Sequence, residues 1–190
     1  MGVGLVALAV VGVLLLILIG VAAWVIGLYN SLVRLKVATE SAFSGIDVQL
    51  KRRHDLIPNL VETVKGYATH EKGTFEAVTQ ARAAAMGARS MDDKIAAEGM
   101  LSGALGRLMA VAEAYPQLRA NENFMQLQGE LSDIENRISA ARGGYNGSAE
   151  GFNSTLQQFP TNIVGGIFGF RAFEFFRAGD GERAAPQVKF

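Results

Sequence analysis

From Gly2 to Leu28 the chain carries only aliphatic residues, Gly, Ala and Trp24, and its first charged side chain is Arg34. These 27 consecutive apolar positions constrain the fold more than any other feature. A backbone surrounded by hydrocarbon must satisfy its own N–H and C=O groups, so a single segment of this kind is a helix. At about 1.5 Å per residue it reaches about 40 Å, more than the about 30 Å of a bilayer's hydrocarbon layer. Residues 1–29 are therefore expected to form a transmembrane anchor. A cleaved secretory signal would need a basic start and an apolar run of only about 7–15 residues; this stretch begins without Lys or Arg and is longer. The pattern for N-myristoylation fails as well, because Val6 stands where Ser or Thr is required.

Trp24 and Tyr29 fall where the helix leaves the bilayer, a depth that suits an amphipathic ring. The basic residues lie on the C-terminal side only, Arg34 and Lys36 first, then Lys51, Arg52 and Arg53. The positive-inside rule then puts the remainder of the chain in the cytoplasm, on a bacterial inner membrane crossed once. Ala23 and Gly27 form one small-xxx-small pair that would let two such helices approach.

Beyond the anchor, apolar residues recur at steps of mostly three, four or seven: Leu28, Leu32, Leu35, Ala42, Ile46, Leu50, Ile57, Leu60, Val64, Tyr67. This is helical spacing, and no alternating β pattern accompanies it. Pro58 cannot donate to the carbonyl of His54 and predicts a kink or a local break. A second helix is expected from about Thr74 to Ala88. Ser90 followed by Asp92 and Asp93 is an N-terminal signature for a third, carrying Ile95, Leu101, Leu105, Leu108 and Val111 and stopped by Tyr115-Pro116. A fourth contains Phe124, Leu127, Leu131, Ile134, Ile138, Ala141 and Tyr145. The expectation is an all-α chain: transmembrane helix 1–29, antiparallel four-helix bundle 30–160, Phe-rich tail 161–190.

Composition narrows the function. With 18 basic and 18 acidic residues there is no global field to gather phosphate, which argues against nucleic acid as a partner. The absence of Cys removes disulfides, thiolate metal sites and thiol catalysis. A carboxylate-bridged metal centre in a bundle calls for Glu-x-x-His on two helices, whereas Lys51 and Tyr67 stand three residues before His54 and His70. Neither a metal nor any other cofactor is expected. Gly143-Gly144 and the run Gly165-Gly166-Ile167-Phe168-Gly169 lack the setting of a phosphate loop and read as hinges or turns. His54 and His70 are expected to cap helices or line the surface beside Asp55 and Glu71.

The string from Gln49 through Lys51-Arg52-Arg53-His54-Asp55-Leu56-Ile57-Pro58-Asn59-Leu60 to Val64-Lys65-Gly66-Tyr67-Ala68 and His70-Glu71 resembles the signature of the LemA family. So do Tyr29-Asn30-Ser31-Leu32-Val33, Ala81-Arg82-Ala83, Glu113-Ala114-Tyr115-Pro116, Ala120-Asn121 with Asn123-Phe124, Glu135-Asn136-Arg137-Ile138 with Ala141-Arg142, Tyr145-Asn146 and Phe159-Pro160. The resemblance is collinear over about residues 24–190 and implies a bacterial single-pass membrane protein with a helical bundle and no catalytic residues to transfer. Some members are tethered by a lipidated Cys just before the Tyr-Asn pair. Here Leu28 occupies that place, so the helix itself has to be the tether. Lipoprotein members face away from the cytoplasm, which opposes the side indicated by the charges.

Two polar stripes stand out. Asp55, Asn59 and Glu62 share one helix face, and Asn121, Gln128, Glu135 and Arg142 recur every seven residues on the fourth helix. Arg53, Asp55, Asn59, Glu62, Gln128, Glu135 and Arg142 are candidates for a polar network that fixes helix register, centred on Arg53, Asp55, Glu135 and Arg142, since buried ions require partners. Acid–base catalysis is the competing reading, and no nucleophile or phosphate loop accompanies it. In the tail, Phe168, Phe170, Phe173, Phe175 and Phe176 demand cover, from the end of the bundle, from a second copy or from lipid. The expected function is a non-enzymatic, membrane-anchored scaffold or adaptor. Its expected partners are the lipid bilayer, copies of itself and other membrane proteins, with an accessory subunit of a membrane enzyme such as a protease as the alternative.

Overall fold

The computed structural model describes residues 2–176 and is helical, with no strand among the described residues. Its elements are α1 (Gly2–Lys65), α2 (Lys72–Gly87), α3 (Met91–Glu113), α4 (Pro116–Arg119), α5 (Glu122–Gln157) and α6 (Thr161–Ile167). The part of the expected tail from residue 177 on lies outside the described residues. Packing divides the chain into two units. Within the described residues one comprises 43–145 and 175–176, the other 2–42 and 146–174.

The unit containing 43–145 is built on a single apolar core. Leu56, Ile57, Leu60 and Val64 of α1 meet Phe75 and Val78 of α2, Leu101, Leu105 and Leu108 of α3, and Phe124 and Leu131 of α5. Apart from the adjacent Leu56 and Ile57, the spacings within each set are three, four or seven residues, so each helix buries one stripe. Between Phe43, whose ring packs on Tyr145, and Arg53, which pairs with Glu135, α1 advances ten residues while α5 retreats ten. The two helices therefore run antiparallel. Ser90 accepts the backbone N–H of Asp93 at 3.0 Å and caps α3, with Asp92 and Asp93 in the first turn. After α3 the Tyr115-Pro116 pair does more than stop a helix. It starts α4 with Pro at the first helical position, and α4 delivers Leu118 to the core with no exposure. Asn121 then caps α5 by accepting from the Phe124 N–H at 3.0 Å and donates to the Tyr67 hydroxyl at 3.0 Å.

Of the kink or local break expected at Pro58, the break does not occur: α1 is one element from Gly2 to Lys65 with Pro58 inside it. The carbonyl that Pro58 cannot reach, that of His54, accepts instead from Arg82 Nε at 2.7 Å. A side chain of α2 thus replaces the missing backbone donor. Gly143 and Gly144 form no turn, since α5 runs through both to Gln157.

In the other unit, the large apolar side chains from Leu5 to Ile26 are uncovered, Leu8 being 73% exposed. Among the described residues two helices are long and apolar enough to cross a membrane, this stretch of α1 and α3. In α3, Leu101, Leu105 and Leu108 belong to the core just described. Further along α1, Thr39 donates to the carbonyls of Leu35 and Ser148, at 2.9 and 3.2 Å. α6 folds onto the end of α5, so closely that a methyl group on Gly165 would run into the Leu156 side chain. It ends with Gly169 at φ 72°, where the N–H groups of Gly169 and Phe170 return to the carbonyls of Gly166 and Gly165. That pairing of a left-handed glycine with two returning bonds is a Schellman ending, and a side chain at Gly169 would be strained there.

Candidate functional site

Arg53 lies in the apolar register of α1, three residues after Leu50 and four before Ile57, and its side chain is fully buried. Glu98 holds the equivalent place on α3, three before Leu101 and seven before Leu105, and is 1% exposed. The two form an ion pair through Arg53 Nη2 and Glu98 Oε2. The other Glu98 oxygen accepts from His54 Nε2 at 2.8 Å. Arg53 Nη1 donates to Glu135 Oε1 of α5 at 2.6 Å and to Ser102 Oγ of α3 at 3.0 Å, while Arg53 Nε has no partner. Three helices thereby converge on one guanidinium. Burial, with Arg53 and then Arg82 nearby, lowers the His54 pKa from 6.5 to about 4, so at neutral pH the ring is uncharged and Nε2 carries the donated proton.

Of the residues singled out by sequence, Arg53 and Glu135 meet in this cluster, and the others lie outside it. Asp55 is exposed and pairs with Lys51 at 2.7 Å, a bond that holds its carboxyl below the usual range. Glu62 is exposed beside Lys65, and Asn59 and Gln128 are exposed. The reason is angular: the Asp55–Asn59–Glu62 stripe flanks the buried stripe of Arg53, Ile57 and Leu60 rather than coinciding with it. Asp55 and Asn59 instead line an open surface groove of about 470 Å³ with Glu130, Asp133 and Arg137 of α5. Arg142 lies over the Phe176 ring, 4.6 Å from its centroid. His54 is a correction, because it is buried in the cluster and not on the surface, whereas His70 is exposed.

Glu98, His54 and Arg82 were missed as a group. Glu98 had a readable signal, an acid inside the Leu101–Leu105–Leu108 stripe, which calls for a buried cation opposite. Arg82 had a weaker one, since Pro58 leaves a carbonyl in need of a donor. The cluster brings together an ion pair, a neutral histidine, a second carboxylate and the Ser102 hydroxyl, which accepts from Arg53. Its chemistry suits holding three helices in register. No group of three His, Cys, Asp or Glu residues disposed to hold a metal occurs among the described residues.

The tail aromatics divide between the two units. In the unit with 146–174, Tyr29 packs on Phe168 and Phe170 with centroids 4.8 and 5.7 Å apart. Phe152 of α5 packs on Phe170 and Phe173 at 6.3 and 5.1 Å. Asn153, buried and unremarked in the sequence, clamps the tail by exchanging both of its amide bonds with the backbone of Phe173, each at 2.8 Å. Trp24 stays exposed, and Phe168 is 54% exposed despite its contact. In the unit with 43–145, Phe176 is buried under Arg142 and Phe175 is exposed.

Comparison with known proteins gives this arrangement a context. The chain is similar to the magnetosome proteins MamQ 1 and MamQ 2 of Paramagnetospirillum magneticum, each 28% identical over 189 residues, covering 84% of this chain and 70% of the relative. It is also similar to the protein LemA of Metamycoplasma hominis, 28% identical over 159 residues, covering 83% of this chain and 73% of the relative. None of these names specifies a reaction. The model of the LemA family matches residues 42–190, a span that takes in Arg53, His54, Arg82, Glu98 and Glu135, and the chain belongs to the LemA family.

Proposed function

We propose that this protein is a membrane-anchored, non-enzymatic scaffold. The observation that carries the reading is that one unbroken helix, α1, supplies both the uncovered apolar stretch Leu5–Ile26 and the core residues Leu56, Ile57, Leu60 and Val64. A chain built this way ties a packed helical core to lipid with no intervening loop. The family's sequence strings support the same role. Arg53, His54, Arg82, Asn121 and Glu135 are spent on ion pairs, caps and a replaced backbone donor. Two relatives are named for the magnetosome rather than for a reaction.

Function follows from what the anchored core binds, and copies of the chain itself are the proposed first partner. Gentle detergent extraction followed by size measurement is expected to give a large, homogeneous assembly. A monomer that co-purifies with one other protein replaces this reading with that of an accessory subunit of a membrane enzyme.

The basic residues Arg34 and Lys36, which follow the apolar stretch, favour the cytoplasmic face of the bacterial inner membrane for the core. Protease added to sealed right-side-out vesicles is expected to leave residues beyond 43 intact. Their digestion reverses the orientation.

A further inference from the structure

The C-terminal stretch carries an uncharged band of its own. Between Glu150 and Arg171 there is no Asp, Glu, Lys or Arg, and at the other end of the chain none precedes Arg34. Within the unit formed by 2–42 and 146–174 these two bands meet. Thr39 bonds to the carbonyl of Ser148, and nine residues further α5 ends at Gln157. Nine residues back from Thr39 is Asn30, next to Tyr29. The tail then contacts Tyr29 itself through Phe168 and Phe170, and α6 packs its Gly165 toward Leu32. The turn between α5 and α6, and α6 with it, therefore sit beside the point where α1 passes from apolar to polar sequence.

Apart from Asn162, the side chains that α6 shows to the outside are apolar. Thr161, Val164 and Gly165 are buried, whereas Phe159, Ile163 and Ile167 are 80%, 52% and 74% exposed and follow one another at four-residue steps. Phe168, 54% exposed, extends the same surface toward Tyr29. In water such a face would cost free energy for every side chain left uncovered. Beside the exit of a membrane-spanning helix the nearest apolar medium is the lipid that surrounds that helix. The absence of charge over the whole band removes the main penalty for entering the headgroup–acyl boundary.

We infer that α6 is an interfacial foot: Phe159, Ile163, Ile167 and Phe168 insert into the same leaflet from which α1 emerges. This rests on the reading of α1 as a membrane anchor and adds a second, lateral attachment. One attachment by a single helix leaves the chain free to tilt and rotate. A second beside it fixes the end of α5 against the membrane surface, with the Asn153 clamp and the Schellman ending at Gly169 holding the foot in place.

The test uses the chain's single tryptophan. The full-length protein with Trp24→Phe and Ile163→Trp, and a second version with Ile167→Trp, is reconstituted into phosphatidylcholine–phosphatidylglycerol vesicles with or without bromine on the acyl chains. Both positions are exposed, so the fold is expected to tolerate the indole, and unchanged helical circular dichroism checks this. At 163 or 167 the indole is expected to lose the larger part of its emission to brominated lipid and little to aqueous iodide. Quenching by iodide alone places α6 in water and overturns the inference. Resistance to both quenchers places it against protein, such as a second copy, and also overturns it. The unsubstituted protein separates the two levels. Trp24 quenched by brominated lipid while 163 and 167 are not leaves the anchor standing without the foot. Trp24 unquenched removes the anchor, and the foot falls with it.

Discussion

Glu98→Ala is expected to destabilise the protein by about 3–5 kcal/mol, the cost of leaving a buried charge without its partner. That is a large share of the about 5–15 kcal/mol that holds an ordinary domain together. Arg53 is fully buried, and its guanidinium requires a counter-charge. Removing Glu98 takes away its most buried counter-charge and the acceptor of the His54 N–H together. Glu135 cannot compensate, because it approaches the other terminal nitrogen and is 40% exposed. Glu135→Ala should therefore cost only about 1 kcal/mol, with water taking up the freed donor. The measurement is the thermal midpoint of the helical signal in detergent for the two variants beside the parent. An unchanged midpoint for Glu98→Ala, or a larger loss for Glu135→Ala, would mean that Arg53 is hydrated in solution. Replacing the pair together, Arg53→Met with Glu98→Leu, is expected to recover much of the loss, since the penalty belongs to the orphaned charge rather than to the missing attraction.

The long apolar N-terminal helix, the amphipathic stretches and the Ser90 cap were legible because each is written in local order: an uninterrupted apolar run, a three-four repeat, a hydroxyl followed by two acids. The continuation of α5 was not. Gly143 and Gly144 each weaken a helix by about 1 kcal/mol relative to Ala, which favoured a turn. The repeat of Tyr145, Ala149 and Phe152, all buried, overrode that preference through packing. The polar cluster was half legible. Seven-residue spacing pointed to Glu135, and its meeting with Arg53 needs only two antiparallel helices. Glu98 sits on α3, where the surrounding leucines drew attention to the core rather than to the acid among them. For His54, the acids near in sequence suggested a surface site, but its partner is 44 positions away. Asp55, Asn59 and Glu62 share a face as their spacing requires, and only tertiary packing determines that this face looks outward. Partner choice across helices is set by their rotation about their own axes, which a few tens of degrees alter without changing any periodicity.

Acidification is expected to destabilise the protein between about pH 6.5 and about pH 4, and His54 sets that window. Its folded pKa is lowered from 6.5 to about 4. Within the window the unfolded chain binds a proton at this position that the folded chain refuses, so stability rises with pH. The contribution is complete above the unfolded value and is lost as the pH falls toward the folded one. A shift of this size corresponds to about 3 kcal/mol. The groups facing the ring explain the direction. Arg53 and Lys51 on α1 and Arg82 on α2 oppose a second positive charge, and Asp55 favours it only weakly from an exposed position. Glu98 of α3, which accepts the Nε2 proton, is already committed to Arg53. Asp55 itself contributes stability that is lost only below its ordinary value of 3.8, beneath the window in question. His54→Gln keeps a side-chain N–H donor for Glu98 but cannot titrate, and is expected to flatten the thermal midpoint across the window while leaving it little changed at neutral pH. A parent protein whose midpoint stays level from pH 6.5 to 4, or a His54→Gln variant that keeps the parent's full slope, would assign the acid sensitivity elsewhere. Because the ring is held neutral by burial between three helices, the same titration reports whether they remain packed: once they separate, His54 returns to its ordinary pKa and the window closes.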